Sequence, residues 1–246
     1  MIKNILITGG AGYIGSHILE ILSGENNNLY IVDNLSTGYR RLINKKAKFF
    51  NCNISNKNKI KAIIKEYNID TIIHLAASLV VEQGEKNPKQ FYRNNVEGTK
   101  KLIESCVNTK VKNFIFSSTA AVYKDGLKKV SEKSELKPKS VYGKTKLKAE
   151  RLIISFCKKR KLNYGILRYF NIVGSSNSGK IGLINKSDHL FKNFSCQILK
   201  KKPVLRIYGT NYKTIDGSCV RDFIHVTDIA EIHIKVLKLI DKTKKS

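Results

Sequence analysis

The sequence predicts an α/β fold in which helices cover both faces of a doubly wound parallel sheet. Short apolar runs alternate with helical patterns from the N-terminus onward, an arrangement that is typical of βαβ units. The runs are continuous rather than alternating, as expected of strands that are buried on both faces. Six runs carry this prediction, at residues 5–7, 29–32, 49–50, 71–75, 113–116 and 164–167.

Apolar residues at helical spacing lie between these runs and predict the connecting helices. The clearest sets are Ile60, Ile63, Ile64 and Tyr67, then Leu102, Ile103 and Cys106. The pattern loosens after the sixth run, so we predict one domain at 1–170 and a second, smaller and incomplete α/β domain at 171–246.

The second predicted domain begins with a glycine- and serine-rich loop at 174–179 and ends in a helix. Thr227 or Asp228 is the predicted N-cap of that helix, because short polar side chains accept hydrogen bonds from first-turn amides. Its predicted apolar face carries Ile229, Ile232, Val236, Leu237 and Ile240.

The first predicted strand is followed by Thr-Gly-Gly-Ala-Gly-Tyr-Ile-Gly-Ser at residues 8–16. Gly10, Gly12 and Gly15 fit the spacing G-x-G-x-x-G, and Gly9 with the last two fits a related spacing. Residues without Cβ let the backbone turn tightly and approach a pyrophosphate at the helix N-terminus. The motif predicts a dinucleotide-binding, Rossmann-type turn, although glycine-rich strand ends also occur without a ligand.

Asp33 closes the second apolar run, about twenty residues beyond the glycines, where such folds place a carboxylate. There a carboxylate binds a ribose 2′-OH and repels a 2′-phosphate, so Asp33 favours NAD over NADP. The alternative is a turn residue that precedes Asn34.

The composition is that of a globular chain of 246 residues, with 41% hydrophobic residues and a net charge of +27. The lysines are spread through the whole chain without a basic stripe interleaved with aromatic residues, so we expect no nucleic-acid partner. No apolar run approaches the ~20 residues that cross a bilayer, and the start at Met1 leads directly into a strand, so we expect no membrane association and a cytoplasmic protein. Five separated cysteines without a C-x-x-C pair predict neither disulfides nor a metal site.

Two further segments contain groups that could move a proton. Tyr142 and Lys146 lie one helical turn apart at the start of a predicted helix, and a nearby cation can lower a tyrosine pKa from about 10. Thr119 follows the fifth predicted strand and could bind the same substrate oxygen. The alternatives are a partly exposed tyrosine beside a solvated lysine, and an ordinary strand end.

Taken together, these stretches resemble the extended short-chain dehydrogenase/reductase family, and most closely the UDP-glucose 4-epimerases within it. The resemblance runs through nearly the whole chain in order. Its matching segments are 8–16, 33–38, 74–77, 94–95, 117–123, 142–146, 168–171 and 220–226.

The resemblance implies an isomerase that interconverts UDP-glucose and UDP-galactose. In this family Tyr142 would be the general base for the sugar 4-OH, Lys146 would bind the nicotinamide ribose and lower the tyrosine pKa, and Thr119 would assist. A hydride passes from sugar C4 to NAD and returns to the opposite face, without net redox change.

The resemblance also implies binding residues. For UDP-sugar these are Thr119, Asn171, Leu190 and Arg221, with Arg221 at the diphosphate; a homodimer is a further implication. For NAD they are Gly9, Gly12, Tyr13, Ile14, Gly15, Asp33, Asn34, Ser36, Thr37, Gly38, Asn53, Ile54, Leu75, Ala76, Ala77, Asn94, Ser117, Tyr142, Lys146 and Tyr169.

The sequence departs from the family pattern in places. Asn53 replaces the usual aspartate, and the sequence stops at Ser246, where the family continues. We therefore expect an incomplete substrate domain, uncovered apolar surface and, as one alternative, an NAD-binding chain with little turnover. A nucleotide-sugar dehydratase or decarboxylase is the other alternative, but that chemistry requires acidic residues directly after Thr119, where Ala120 and Ala121 stand.

Overall fold

Six parallel strands form the main sheet of the protein. They are β1 (Asn4–Thr8), β2 (Asn28–Asp33), β3 (Lys48–Asn51), β4 (Thr71–His74), β5 (Asn113–Ser117) and β6 (Asn163–Leu167). This computed structural model describes residues 3–126, 129–184, 189–206 and 209–243. The order across the sheet is β3-β2-β1-β4-β5-β6, which confirms the doubly wound α/β fold.

Helices cover both faces of this sheet. The α-helices are α1 (Tyr13–Leu22), α2 (Lys57–Glu66), α3 (Val81–Lys86), α4 (Pro88–Phe91), α5 (Gly98–Ser105), α6 (Val141–Arg160), α7 (Leu190–Ile198) and α8 (Val226–Thr243). Single 3₁₀ turns occur at Arg40–Leu42 and Ala120–Val122, and a π-helical turn at Tyr92–Glu97 joins α4 to α5.

Each strand contributes apolar side chains to two cores. In β1, Ile5 and Ile7 pack with α1 and α8, whereas Leu6 between them packs with α2, α5 and α6. All three side chains are fully buried. The continuous apolar runs of the sequence are thus strands with helices on both faces, as predicted.

A second, two-stranded sheet follows β6 in the chain. It consists of β7 (Asn171–Val173) and β8 (Phe223–His225), which pair in parallel. The predicted domain boundary falls at the first residue of β7 and stays a prediction. Helix α8, which follows β8, packs against α1 and the main sheet through Ala230, Ile234 and Leu237.

The predicted N-cap of the last helix was wrong. Helix α8 begins at Val226, directly after β8, so Thr227 and Asp228 lie inside its first turn. The imidazole of His225 takes the capping position instead, because its Nδ1 accepts a hydrogen bond of 3.3 Å from the amide of Thr227.

Three histidines are buried within the fold as neutral rings. His17 and His233 each place Nδ1 at 2.7–2.8 Å from the carbonyl oxygen one helical turn before, at Tyr13 and Ile229. His74 lies between β1 and α5, and burial together with the charge of Lys146 lowers its pKa to about 3. Burial lowers the pKa of His233 to about 4, and burial is also the main cause of the lowered pKa of His17.

Buried neutral histidines make folding sensitive to acid. The unfolded chain takes up protons at these rings below pH ~6.5, whereas in the folded chain His74 and His233 stay neutral until much lower pH, so stability falls as the pH drops from 6.5 toward 4. Each such ring contributes a slope of about 1.4 kcal/mol per pH unit.

Replacing His233 by leucine tests this dependence, because Nε2 of His233 has no hydrogen-bond partner among the residues that the structure describes. We expect His233→Leu to reduce the pH slope of the unfolding free energy by about 1.4 kcal/mol per pH unit between pH 6.5 and 4.5. Denaturant unfolding at several pH values measures this slope. An unchanged slope would show that His233 is protonated in the folded chain.

Candidate active site

The carboxyl ends of the six strands form one edge, and the glycine turn lies at its centre. Gly9 has a φ of 75°, and a Cβ there would lie 2.7 Å from the amide nitrogen of Ala76. A larger residue is therefore excluded by both conformation and space. The loop after β4 can thus approach the turn after β1, and Leu75 donates its amide to the carbonyl of Thr8 at 3.0 Å.

Helix α1 begins at Tyr13 with its N-terminus at this edge. Its N-cap is Gly12, which has no side chain to accept from the first-turn amides, and the first turn contains no acidic residue. Tyr13, Ile14 and Gly15 therefore present a positive helix end toward the crevice between β1 and β4. An anionic pyrophosphate fits this arrangement.

Asp33 is the last residue of β2 and is only 8% exposed. Its Oδ2 accepts from the amide of Ala11 at 3.0 Å and its Oδ1 from the amide of Leu35 at 2.8 Å. Burial raises its pKa, and the two amide bonds oppose that shift. Each oxygen keeps a further lone pair, so the carboxylate can orient the glycine turn and still accept from a ribose hydroxyl.

The residues after β2 and β3 continue the same edge. Gly38 lies against Ala11 of the glycine turn, and the side-chain oxygens of Asn34 and Asn53 accept from the amides of Ser36 and Ser55. Thr37 lies exposed beside Ser36, and Ile54 is buried in the core. The NAD residues predicted after β2 and β3 therefore follow the ends of two neighbouring strands.

Two asparagines of the π-helical turn hold the loop after β4. Asn94 donates to the Oγ of Ser78 at 2.9 Å. The buried side chain of Asn95 accepts from the amide of Ser78 at 2.7 Å and donates to Thr145 Oγ1 at 3.0 Å. Ala76 and Ala77 precede Ser78, so this loop is fixed between the glycine turn and α6.

Helix α6 carries Tyr142 and Lys146 to the end of β5. Ser140 caps the helix by accepting from the amide of Gly143 at 3.1 Å. A side chain at Gly143 would overlap the carbonyl oxygen of Ala121, so glycine permits the first turn to lie against the segment that follows Thr119. Tyr142 thereby lies near the side chain of Thr119, which lowers its pKa against the effect of burial.

Lys146 is almost fully buried, with 1% of its surface exposed. Its Nζ donates to the carbonyl of Ser117 at 2.6 Å and lies 4.6 Å from the centre of the Phe116 ring. Burial lowers the pKa of Lys146 to about 7, and the charge of Glu150 opposes this shift.

The predicted lowering of the Tyr142 pKa was wrong for the chain by itself. Burial raises the pKa of Tyr142 to about 12, and the side chain of Thr119 only partly opposes this. The physical reason is that the ammonium of Lys146 is directed to the carbonyl of Ser117.

Tyr169, which follows β6, lies next to these residues at the same edge of the sheet. Its hydroxyl is hydrogen-bonded to the Oγ of Ser117, and its carbonyl accepts from the amide of Ala120 at 3.0 Å. Burial raises its pKa, so Tyr169 is a neutral phenol that holds the ends of β5 and β6 together.

Of the four predicted substrate residues, Thr119 lies after β5, and the other three lie in or near the small sheet. Asn171 donates its side-chain amide to the carbonyl of Asp222 at 2.9 Å, next to the exposed Arg221. Leu190 is the exposed first residue of α7, and the following Phe191 contacts Phe223 with ring centres 5.0 Å apart. Asn171 and Arg221 are thus neighbours, while Leu190 lies on a separate helix.

Several buried polar residues of the site were missed at the sequence level. His74 accepts from Thr8 Oγ1 at 2.7 Å and donates to Thr99 Oγ1 at 2.9 Å, since the Thr99 hydroxyl itself donates to a backbone carbonyl. Glu150, which is buried, forms an ion pair of 2.7 Å with the partly buried Arg168. The spacing from Lys146 to Glu150 is one helical turn and could have indicated the carboxylate.

Comparison with known proteins agrees with this geometry. The model of the NAD dependent epimerase/dehydratase family matches residues 5–246. A UDP-glucose 4-epimerase of Lactobacillus helveticus is 37% identical over 246 residues, which are 98% of this chain and 74% of the relative.

Two solved structures are similar to this chain. The UDP-glucose 4-epimerase from Brucella ovis in complex with NAD has a TM-score of 0.93 and 34% identity, and the match covers 99% of this chain and 75% of that one. The UDP-glucose 4-epimerase from Bifidobacterium longum in complex with NAD+ and UDP has a TM-score of 0.88 and 28% identity. This match covers 96% of this chain and 74% of that one. The chain therefore belongs to the NAD dependent epimerase/dehydratase family.

Proposed function

We propose that this protein is an isomerase that interconverts UDP-glucose and UDP-galactose by transient oxidation at sugar C4 with bound NAD. The observation that carries the proposal is the meeting of Tyr142, Thr119 and Lys146 at the sheet edge that also holds the glycine turn. The similar structures that contain NAD, and in one case UDP, support it.

The residues of the edge fit a dinucleotide. The first-turn amides of α1 would meet the pyrophosphate, Asp33 the adenosine ribose, and Lys146 with Tyr142 the nicotinamide ribose. Bound there, NAD supplies a reversible hydride acceptor for the sugar. The remaining NAD residues predicted from the sequence follow the same strand ends and belong to this proposal.

Tyr142 and Thr119 form the proton-handling pair of the proposed site. In its phenolate form, Tyr142 would accept at Oη the proton of a sugar 4-hydroxyl within reach of both residues and so become a neutral phenol, while the Thr119 hydroxyl orients the same sugar oxygen. Because burial raises the pKa of Tyr142 to about 12, a positive charge beside the ring is needed for this transfer near neutral pH. Lys146, one turn along α6, is the residue that can supply it.

Arg221, Asn171 and Leu190 would hold the nucleotide part of the substrate. A guanidinium can bind a diphosphate with two parallel hydrogen bonds, and Arg221 is exposed beside the small sheet. An anchored UDP would leave the sugar free to present either face of C4. A dehydratase is less favoured, because the residues after Thr119 are alanines on a 3₁₀ turn.

The proposal also includes a homodimer, a cytoplasmic location and a substrate-binding part that begins at Asn171. All five cysteines are free thiols, which fits a reducing compartment. Within the described ranges, no helix has the length and apolar character that a membrane span requires.

Incubation with UDP-galactose and UDP-glucose in separate reactions tests the proposed activity. We expect each sugar to yield the other while the NADH content stays low between turnovers. A dehydrated or decarboxylated product would contradict the epimerase assignment. NAD binding without any product would identify a nucleotide-binding chain instead.

Removing the phenol of Tyr142 should abolish most turnover. We expect Tyr142→Phe to reduce kcat by at least about 100-fold, because general acid–base catalysis contributes that much or more, while the first turn of α1, Asp33 and Lys146 should retain most of the NAD affinity. Tyr67→Phe is the matched control, since Tyr67 lies between α2 and β4 at the opposite end of the sheet. An active Tyr142→Phe enzyme would exclude Tyr142 as the base.

Asp33→Asn should weaken the binding of NAD and reduce the preference for NAD over NADP. Loss of a charged acceptor for the ribose hydroxyl should raise the Kd for NAD at least about tenfold and reduce the preference over NADP. Calorimetric titration with both cofactors measures this, and thermal unfolding monitors the turn that Asp33 also holds. Glu82→Gln, in an exposed pair with Lys86, is the charge control. An unchanged NAD/NADP ratio would contradict the role of Asp33.

A further inference from the structure

We propose that Glu150 is a positioning residue for Lys146, acting with Arg168 as a clamp that ties α6 to the ends of β5 and β6. This inference rests on the proposed function, since Lys146 matters through its place beside Tyr142. No part of the clamp was predicted from the motifs of the sequence.

The carboxylate of Glu150 is buried and fully engaged. It is 1% exposed, its Oε1 accepts from Arg168 Nε at 3.0 Å, and its Oε2 accepts from Arg168 Nη2 at 2.7 Å. Oε1 also accepts from the hydroxyl of Ser118. Two parallel bonds from a guanidinium fix both the position and the plane of the carboxylate.

Successive turns of α6 are bonded to successive residues of β5 and its end. Lys146 donates to the carbonyl of Ser117 at 2.6 Å, and Glu150, one turn later, binds the hydroxyl of Ser118. Tyr142 lies one turn earlier on the same helix face. The position of the Lys146 ammonium along the helix axis is therefore set by the bonds of Glu150.

Arg168 connects this pair to β6. Its guanidinium carbon lies 5.2 Å from the centre of the Tyr123 ring, and Nη1 is 3.4 Å from the Tyr123 hydroxyl. The next residue, Tyr169, is hydrogen-bonded to Ser117. Displacement of Arg168 would thus move the end of β5 from which Lys146 obtains its acceptor.

The charges around Lys146 give the clamp an electrostatic effect. From β4 the facing group is His74, which is neutral at pH 7, and from β5 it is the ring of Phe116. The residues that follow β6 contribute the neutral phenol of Tyr169 and the cation of Arg168. Helix α6 itself contributes the phenol of Tyr142 and the anion of Glu150. Glu150 is the negative group of this set, and its charge raises the pKa of Lys146 against the effect of burial.

The titration of Lys146 provides a test that does not depend on turnover. In protein labelled with ¹³C at lysine Cε, one resonance should titrate near pH 7 and be missing from Lys146→Met. In Glu150→Gln we expect its midpoint to fall by about one pH unit or more, since an opposite charge shifts a pKa by that amount. Glu150→Asp, which keeps the charge, should restore most of the midpoint.

Control and rescue variants separate the clamp from general stability. Glu104→Gln removes a carboxylate from an exposed pair with Lys57 and should leave the midpoint unchanged. If Glu150→Gln does not fold, Glu150→Leu combined with Arg168→Met replaces the whole buried pair by apolar side chains, which proteins tolerate. The double variant should also lower the midpoint, but by less than Glu150→Gln, because it removes the Arg168 cation together with the Glu150 anion.

The pH profile of turnover gives the second readout. If the epimerase activity is present, the alkaline limb of kcat should move to lower pH in Glu150→Gln by the same amount as the Lys146 midpoint. A midpoint within 0.3 pH units (about a factor of two in the equilibrium constant) of the wild type, in Glu150→Gln or in the double variant, would overturn the proposal. A shifted midpoint in a chain without epimerase activity would instead contradict only the proposed function.

Discussion

The contact between the glycine turn and the loop after β4 determines the layout of the site. Gly9 adopts a left-handed conformation and lies directly against the amide of Ala76, so two strand ends approach more closely than side chains would permit. Helix α1 therefore begins above the crevice where the strand order changes direction. The residues that follow β2 and β3 lie on one side of this contact, and those that follow β5 and β6 lie on the other.

The second organising feature is a cation placed inside the protein. An ammonium in the core is stable only when carbonyl oxygens, aromatic rings and an opposite charge replace its water. Lys146 has all three, in Ser117, Phe116 and Glu150. Since these partners come from β5 and α6, the need to stabilise one charge also aligns the helix that carries Tyr142.

Much of the fold was predictable because burial on both faces leaves an unbroken apolar run for each strand of the main sheet. The small sheet was not, since its strands have three residues each and contain polar side chains such as Asn171 and His225. The start of α8 was misplaced because an imidazole replaced the expected short polar cap. The motifs singled out Tyr142, Thr119 and Lys146, which lie at one edge of the sheet, but their spacing could not give the direction of the Tyr142 pKa. The pairing of Glu150 with Arg168 depends on the order of strands, which spacing along the chain does not contain.

Helix α7 exposes apolar side chains through which copies of the protein can associate in solution. Over Leu190–Ile198, all of which the structure describes, every side chain is at least partly open to solvent, and Leu199 beyond it is 86% exposed. The net charge of +27 repels copies of the chain from one another and so opposes contact between these apolar surfaces. That repulsion reaches only about 10 Å at 0.1 M salt and about 3 Å at 1 M salt. Raising the ionic strength should therefore lower the concentration at which copies of this protein begin to associate.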